Sequence, residues 1–83
     1  MDYEEHLRQL DQHIAAVEAN MARTERYILY QEARLIQKDQ RGQDTRLSLE
    51  LLARLRESLA AHRQGQKAFL HVRDAWIKLI GSA

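Results

Sequence analysis

Four histidines, His6, His13, His62 and His71, are the side chains of this chain best suited to holding a metal or moving a proton. Their spacing argues against both. A helix binds zinc through partners four residues apart with a third ligand nearby, whereas His6 and His13 lie two full turns apart. The residues three before each histidine are Tyr3, Leu10, Leu59 and Ala68, so the Glu-x-x-His pairs of a di-iron bundle are not encoded. There is no cysteine, which removes thiolate ligands and disulfides alike. The hydroxyls Thr24, Thr45, Ser48, Ser58 and Ser82 have no evident base or oxyanion donor beside them, and no glycine-rich phosphate loop occurs. No catalytic, cofactor-binding or metal-ligating residues are expected, and an enzyme is not expected either, because two rigid helices offer no cleft.

His62 is the one histidine whose place invites a second reading. It falls on the apolar seam derived below, opposite Met21. The plain reading is a polar layer whose heads reach water or a partner and fix register. The sharper one is a proton- or metal-responsive sensor, with His62 working alongside His6 or His13.

The chain has 83 residues, room for a single domain spanning residues 1–83. A core that small usually needs help from a disulfide, a metal or another subunit. The opening Met1-Asp2-Tyr3-Glu4-Glu5 is acidic and polar, unlike a secretory signal, and no window approaches the apolar length of a membrane span. A cytoplasmic protein is the expectation. The net charge of +1 conceals an asymmetry: residues 1–39 carry eight acidic and five basic groups, residues 40–83 four acidic and eight basic. Opposite halves can attract within one fold. Arg54, Arg56, Arg63, Lys67, Arg73 and Lys78 are scattered around their segment, where a nucleic-acid-binding helix would gather them on one face.

Helix formers dominate, proline is absent, and glycine occurs only at 42, 65 and 81. The single cluster of turn signals is Gln40-Arg41-Gly42-Gln43-Asp44-Thr45. Gly42 suits the left-handed residue after a helix end, and Asp44 or Thr45 can cap the next helix. Asp2, with Glu5 three residues on, resembles a capping box. Gly81 is expected to end the second helix, with Lys78 complementing its dipole. The reading is a helix over about 3–40, a turn at 41–44 and a helix over about 45–80. Gly65, inside the second helix, admits either a close helix approach or a slight bend.

The apolar spacing then specifies a fold. Leu7, Ile14, Met21, Ile28 and Leu35 recur every seventh residue, interleaved with Tyr3, Leu10, Val17, Thr24 and Gln31. These are the a and d rows of a heptad seam. In the second segment one row is Leu52, Leu59, Gln66, Arg73 and Ile80, and the other is Ser48, Leu55, His62, Phe69 and Trp76. If the chain reverses at Gly42, Leu35 meets Ser48, Ile28 meets Leu55, Met21 meets His62, Ile14 meets Phe69 and Leu7 meets Trp76. The alternate layers pair Gln31 with Leu52, Thr24 with Leu59, Val17 with Gln66, Leu10 with Arg73 and Tyr3 with Ile80. The two numbers of every pair add to the same total. The flanking acidic row Glu4, Asp11, Glu18, Glu25 and Glu32 would face the second helix, placing Glu18 near Arg63 and Glu25 near Arg56. Arg73 should reach outward toward Asp11.

Apolar side chains also lie off the seam: Tyr27, Leu29, Tyr30, Ile36, Leu47, Leu49 and Leu51 toward the turn, and Leu70, Val72, Ile77 and Leu79 toward the free ends. Exposed together they would form patches of the kind that mark an interface. Burying a Leu or Ile is worth about 1.5–3 kcal/mol, and the common solution is a symmetric dimer of hairpins forming a four-helix bundle.

Several stretches resemble a group of short, uncharacterised bacterial helical-hairpin (coiled-coil) proteins of unknown function. The matching residues are His13-Ile14-Ala15 with Glu18, Met21-Ala22-Arg23, Gly42-Gln43-Asp44-Thr45, Leu51-Leu52, Leu55, Ser58-Leu59 and His62-Arg63. The likeness covers most of residues 10–65, and it implies a hairpin without implying an activity. The expectation is therefore an all-α, antiparallel two-helix hairpin that dimerises into a four-helix bundle. It would be a non-enzymatic structural or protein-interaction module without cofactor, its partner a second copy or another protein. The alternative is a small regulator that binds nucleic acid or a protein through the second helix.

Overall fold

A carboxylate starts the first helix. Asp2 sits in extended backbone and accepts the N–H of Glu5 at 3.1 Å, occupying one of the donors a helix start leaves free. Helix α1 then runs over Tyr3–Gln40, with Glu4 and Glu5 in its first turn and Lys38 in its last, each favourable to the helix dipole. The computed structural model describes residues 2–82. Among these, the remaining element is helix α2, Arg46–Ser82, and the two helices pack against each other as a hairpin.

The reversal between them is built from backbone hydrogen bonds. Gln43 N–H donates to the Lys38 carbonyl at 2.9 Å and Gly42 N–H to the Asp39 carbonyl at 3.0 Å, the paired bonds of a Schellman ending. That ending needs a left-handed residue, and Gly42 supplies it with φ +69°. Of the two expected caps the next helix uses one: the Asp44 carboxylate accepts the Arg46 N–H at 3.0 Å, while Thr45 contributes only its backbone carbonyl, which takes the Leu49 N–H at 2.9 Å. Nothing lies within 4 Å of where a Cβ on Gly42 would sit, so the cost of a side chain there is conformational alone. Gly42→Ala is expected to lower stability by about 1–2 kcal/mol, read as an earlier urea midpoint with the slope unchanged. A midpoint identical to the parent's would remove the role given to this glycine.

The other end departs from expectation. Helix α2 does not stop at Gly81 but continues to Ser82, whose hydroxyl donates to the Lys78 carbonyl at 2.8 Å. Glycine's advantage at a helix end is the left-handed turn, and among the described glycines only Gly42 takes a positive φ.

The core follows the heptad rows. Ile14, Ile28, Leu52 and Leu59 are buried, Leu52 most completely at 1% exposure. Met21, Leu35 and Leu55 pack against the Ile28, Leu52 and Leu59 cluster. Leu7, Leu10, Val17, Phe69, Trp76 and Ile80 are half-buried. Two polar seam members are buried as well, Gln31 and Ser48. Ser48 accepts a hydrogen bond from Lys38 Nζ at 3.0 Å, and among the described residues no buried side-chain nitrogen or oxygen lacks a partner. The result is a rod with dimensions of 65 × 15 × 15 Å.

Candidate functional site

The chemistry-bearing side chains are dispersed along this rod. His6 stacks on Trp76 with ring centres 5.7 Å apart, and Trp76 also meets Tyr3 at 5.2 Å. His13 meets the ring of Phe69 edge-on at 4.4 Å. Both histidines therefore pack on the aromatic seam residues near the free ends, His6 face to face and His13 edge-on. Among the described residues no three of His, Asp and Glu come together so as to hold a metal ion.

His62 is not in the seam. Its ring is exposed, and Nδ1 lies 2.8 Å from the carbonyl of Ser58 one turn back on the same helix. A carbonyl only accepts, so Nδ1 carries the proton in this contact. The physical reason for leaving the seam is the polarity of the ring: facing Met21 it would surrender water for no partner, whereas the Ser58 carbonyl provides one. Beside the ring lies a shallow hollow of about 370 Å³ whose lining includes Val17, Ala61, His62, Gly65, Gln66 and Phe69. His62→Leu is expected to turn back into that hollow and raise stability by about 1 kcal/mol, a fraction of full leucine burial. A thermal melt that stays in place or moves down would contradict this account.

Polar contacts across the hairpin occupy one flank. Arg63 pairs with Glu25 at 2.8 Å, Arg56 with Glu32 at 3.3 Å and Arg73 with Asp11 at 2.5 Å. Gln66 donates to Glu18 at 2.9 Å. Arg73 thus reaches Asp11 as anticipated, but Arg56 and Arg63 each select the glutamate one heptad further toward the turn than expected. The reason is the lean of helical side chains toward their own N-terminus. In an antiparallel pair Glu32 and Arg56 lean toward each other, while Glu25 and Arg56 lean apart. All these groups are largely exposed, so each pair contributes only about 0.2–1 kcal/mol and serves register more than stability.

The off-seam apolar side chains remain uncovered. Tyr27, Leu29, Tyr30, Ile36, Leu47, Leu49, Leu51, Leu70, Val72, Ile77 and Leu79 are all exposed, up to 72% for Leu47. Tyr27 and Tyr30 stack at 6.5 Å with the Arg34 guanidinium 5.8 Å over Tyr30. By their heptad places they divide between two broad faces. Leu29, Ile36, Leu49, Leu70 and Ile77 share the flank of the ion pairs, where Leu35, Ile36, Asp39, Gln40, Thr45 and Leu49 line a second hollow of about 430 Å³. Tyr27, Tyr30, Leu47, Leu51, Val72 and Leu79 share the opposite face with the His62 hollow. The heptad rows do not single out Ala61 and Gly65 on that second face, because small side chains carry little apolar signal. Gly65 has no atom within 4 Å of a would-be Cβ, so no close approach within the hairpin calls for it.

The accessible surface is 6429 Å², against about 5,200 Å² for a compact protein of 9.8 kDa. No helix is long and apolar enough to cross a membrane among the described residues. Fold and surface together define a slender two-helix hairpin with apolar side chains on both faces. No family model, curated protein or solved structure matches the chain.

Proposed function

We propose that this chain is a non-enzymatic structural or protein-interaction module that self-associates through helical packing, two hairpins making a four-helix bundle in the cytoplasm. The observation that carries the reading is the set of large apolar side chains left in water outside the seam, eleven counted from Tyr27 to Leu79. One hairpin has only one seam to bury, so a further helical surface is the natural cover. Among the described residues the histidines are dispersed along the rod, an arrangement in keeping with packing.

Light scattering coupled to gel filtration tests this directly. The expected result is a mass near twice that of the 9.8 kDa chain at micromolar concentration, falling on dilution. A mass of one chain at tens of micromolar would end the homodimer. The rival reading, a regulator binding nucleic acid, requires salt-dependent retention on a DNA column; a chain that elutes without it is not such a regulator.

A further inference from the structure

Resting on that reading, we propose which surface pairs and in which direction: α2 packs antiparallel against α2 of a second copy, along the stripe from Leu47 to Leu79. Helix α2 carries a second heptad row pair on the flank turned away from the ion pairs. The positions follow alternating steps of four and three from Leu47, and all but Arg54 are apolar or small. All are exposed except Gly65, which is half-exposed, so α1 covers none of them fully.

Laid against itself in reverse, the stripe is self-complementary. Leu47 meets Leu79, Leu51 meets Ala75, Ser58 meets Ala68, and Ala61 meets Gly65 at the centre. Arg54 falls opposite Val72, where its stem can lie along the helix while its head reaches water. Bulk sits at the two ends and the smallest residues sit at the middle, where antiparallel helices can come closest. Gly65, unexplained within one hairpin, then has a neighbour that needs its small size.

Charge supplies an independent argument. The row bordering this stripe reads Glu50, Glu57, Gln64, His71 and Lys78, and all five are exposed. Among the described residues Glu50, Glu57 and Lys78 take part in no ion pair. Antiparallel pairing brings Glu50 to Lys78 of the second copy, Glu57 to its His71, and Gln64 to its Gln64. Parallel pairing would instead set this row against the other flank of the stripe, Leu55, His62, Phe69 and Trp76 of the second copy, and leave its charges unmatched. The opposite face lacks this feature, since Arg56, Arg63 and Arg73 are already paired with Glu32, Glu25 and Asp11 inside the hairpin. The area also suits: the excess of roughly 1,200 Å² over a compact protein exceeds the ~800 Å² per partner that a standard stable interface removes.

The chain has no cysteine, so introduced thiols report pairing without background. Ser58→Cys and Ala68→Cys, both at exposed positions, are oxidised separately and as a mixture. The expected result is a disulfide-linked dimer in the mixture and little in either alone, because antiparallel pairing brings 58 only to 68. In a second arm, the double variant Glu50→Lys and Glu57→Lys should dimerise about tenfold more weakly, and should pair with the double variant His71→Glu and Lys78→Glu. Scattering masses are recorded for every variant. A dimeric mass with no selective disulfide and no charge rescue overturns this geometry while leaving self-association standing. A single-chain mass for the parent overturns both.

Discussion

Leu52→Ala is expected to lower stability by about 3–5 kcal/mol. Leu52 is the most completely buried side chain, at 1% exposure, and it joins Ile28 and Leu59 at the heart of the packed seam. Truncation removes the transfer energy of the lost methyl groups, and it leaves a void that two helices joined at one end can only partly close. Small domains hold about 5–15 kcal/mol in total, so this change should leave a large unfolded fraction at physiological temperature. Urea unfolding followed by circular dichroism at a fixed chain concentration measures it; the concentration must be held because association adds to apparent stability. Leu29→Ala, at a site 65% exposed and off the α2 stripe, serves as the control and should cost far less. Equal losses at the two sites would show that the seam is not where the core lies.

Trp76→Ala is the second large effect, expected at about 2 kcal/mol and confined to the free ends. Trp76 is half-buried and holds both Tyr3 and His6 through ring contacts at 5.2 and 5.7 Å. Such contacts contribute about 0.5–1.5 kcal/mol beyond the area they bury. Since the turn lies at the far pole, losing them should fray the helix ends without disturbing the Ile28, Leu52 and Leu59 cluster. Amide hydrogen exchange reads this locally: protection should fall over residues 4–10 and 72–80 and persist over 26–30 and 50–60. Uniform loss along the rod would mean that the hairpin opens only as one unit.

The parts of the fold legible in the sequence were those set by repeating rules. The seven-residue recurrence of Leu7, Ile14, Met21, Ile28 and Leu35 and its counterpart in the second half imply two helices. The one glycine among turn formers, Gly42, marks the reversal that lets them meet. What escaped were choices made by individual side chains. Arg56 and Arg63 selected between two glutamates a heptad apart, and the lean of the side chains rather than the row decided it. His62 falls on a seam position, but its ring is exposed and contacts the Ser58 carbonyl on its own helix. Gly81 looked like a terminator, but composition does not dictate the sign of φ. The exposed side chains of the candidate surface were readable as off-seam positions. The small residues Ala61, Gly65, Ala68 and Ala75 between them were not, since their value lies in what they let approach.

The slenderness of the hairpin bears on how its mass must be weighed in solution. Its radius of gyration is 18.9 Å, where a globule of this length would have about 12 Å. Frictional drag follows shape as well as mass, so a solitary hairpin will migrate through a porous matrix like a considerably heavier sphere. An early elution volume alone would then mimic a dimer, and only scattered intensity or sedimentation equilibrium separates the two.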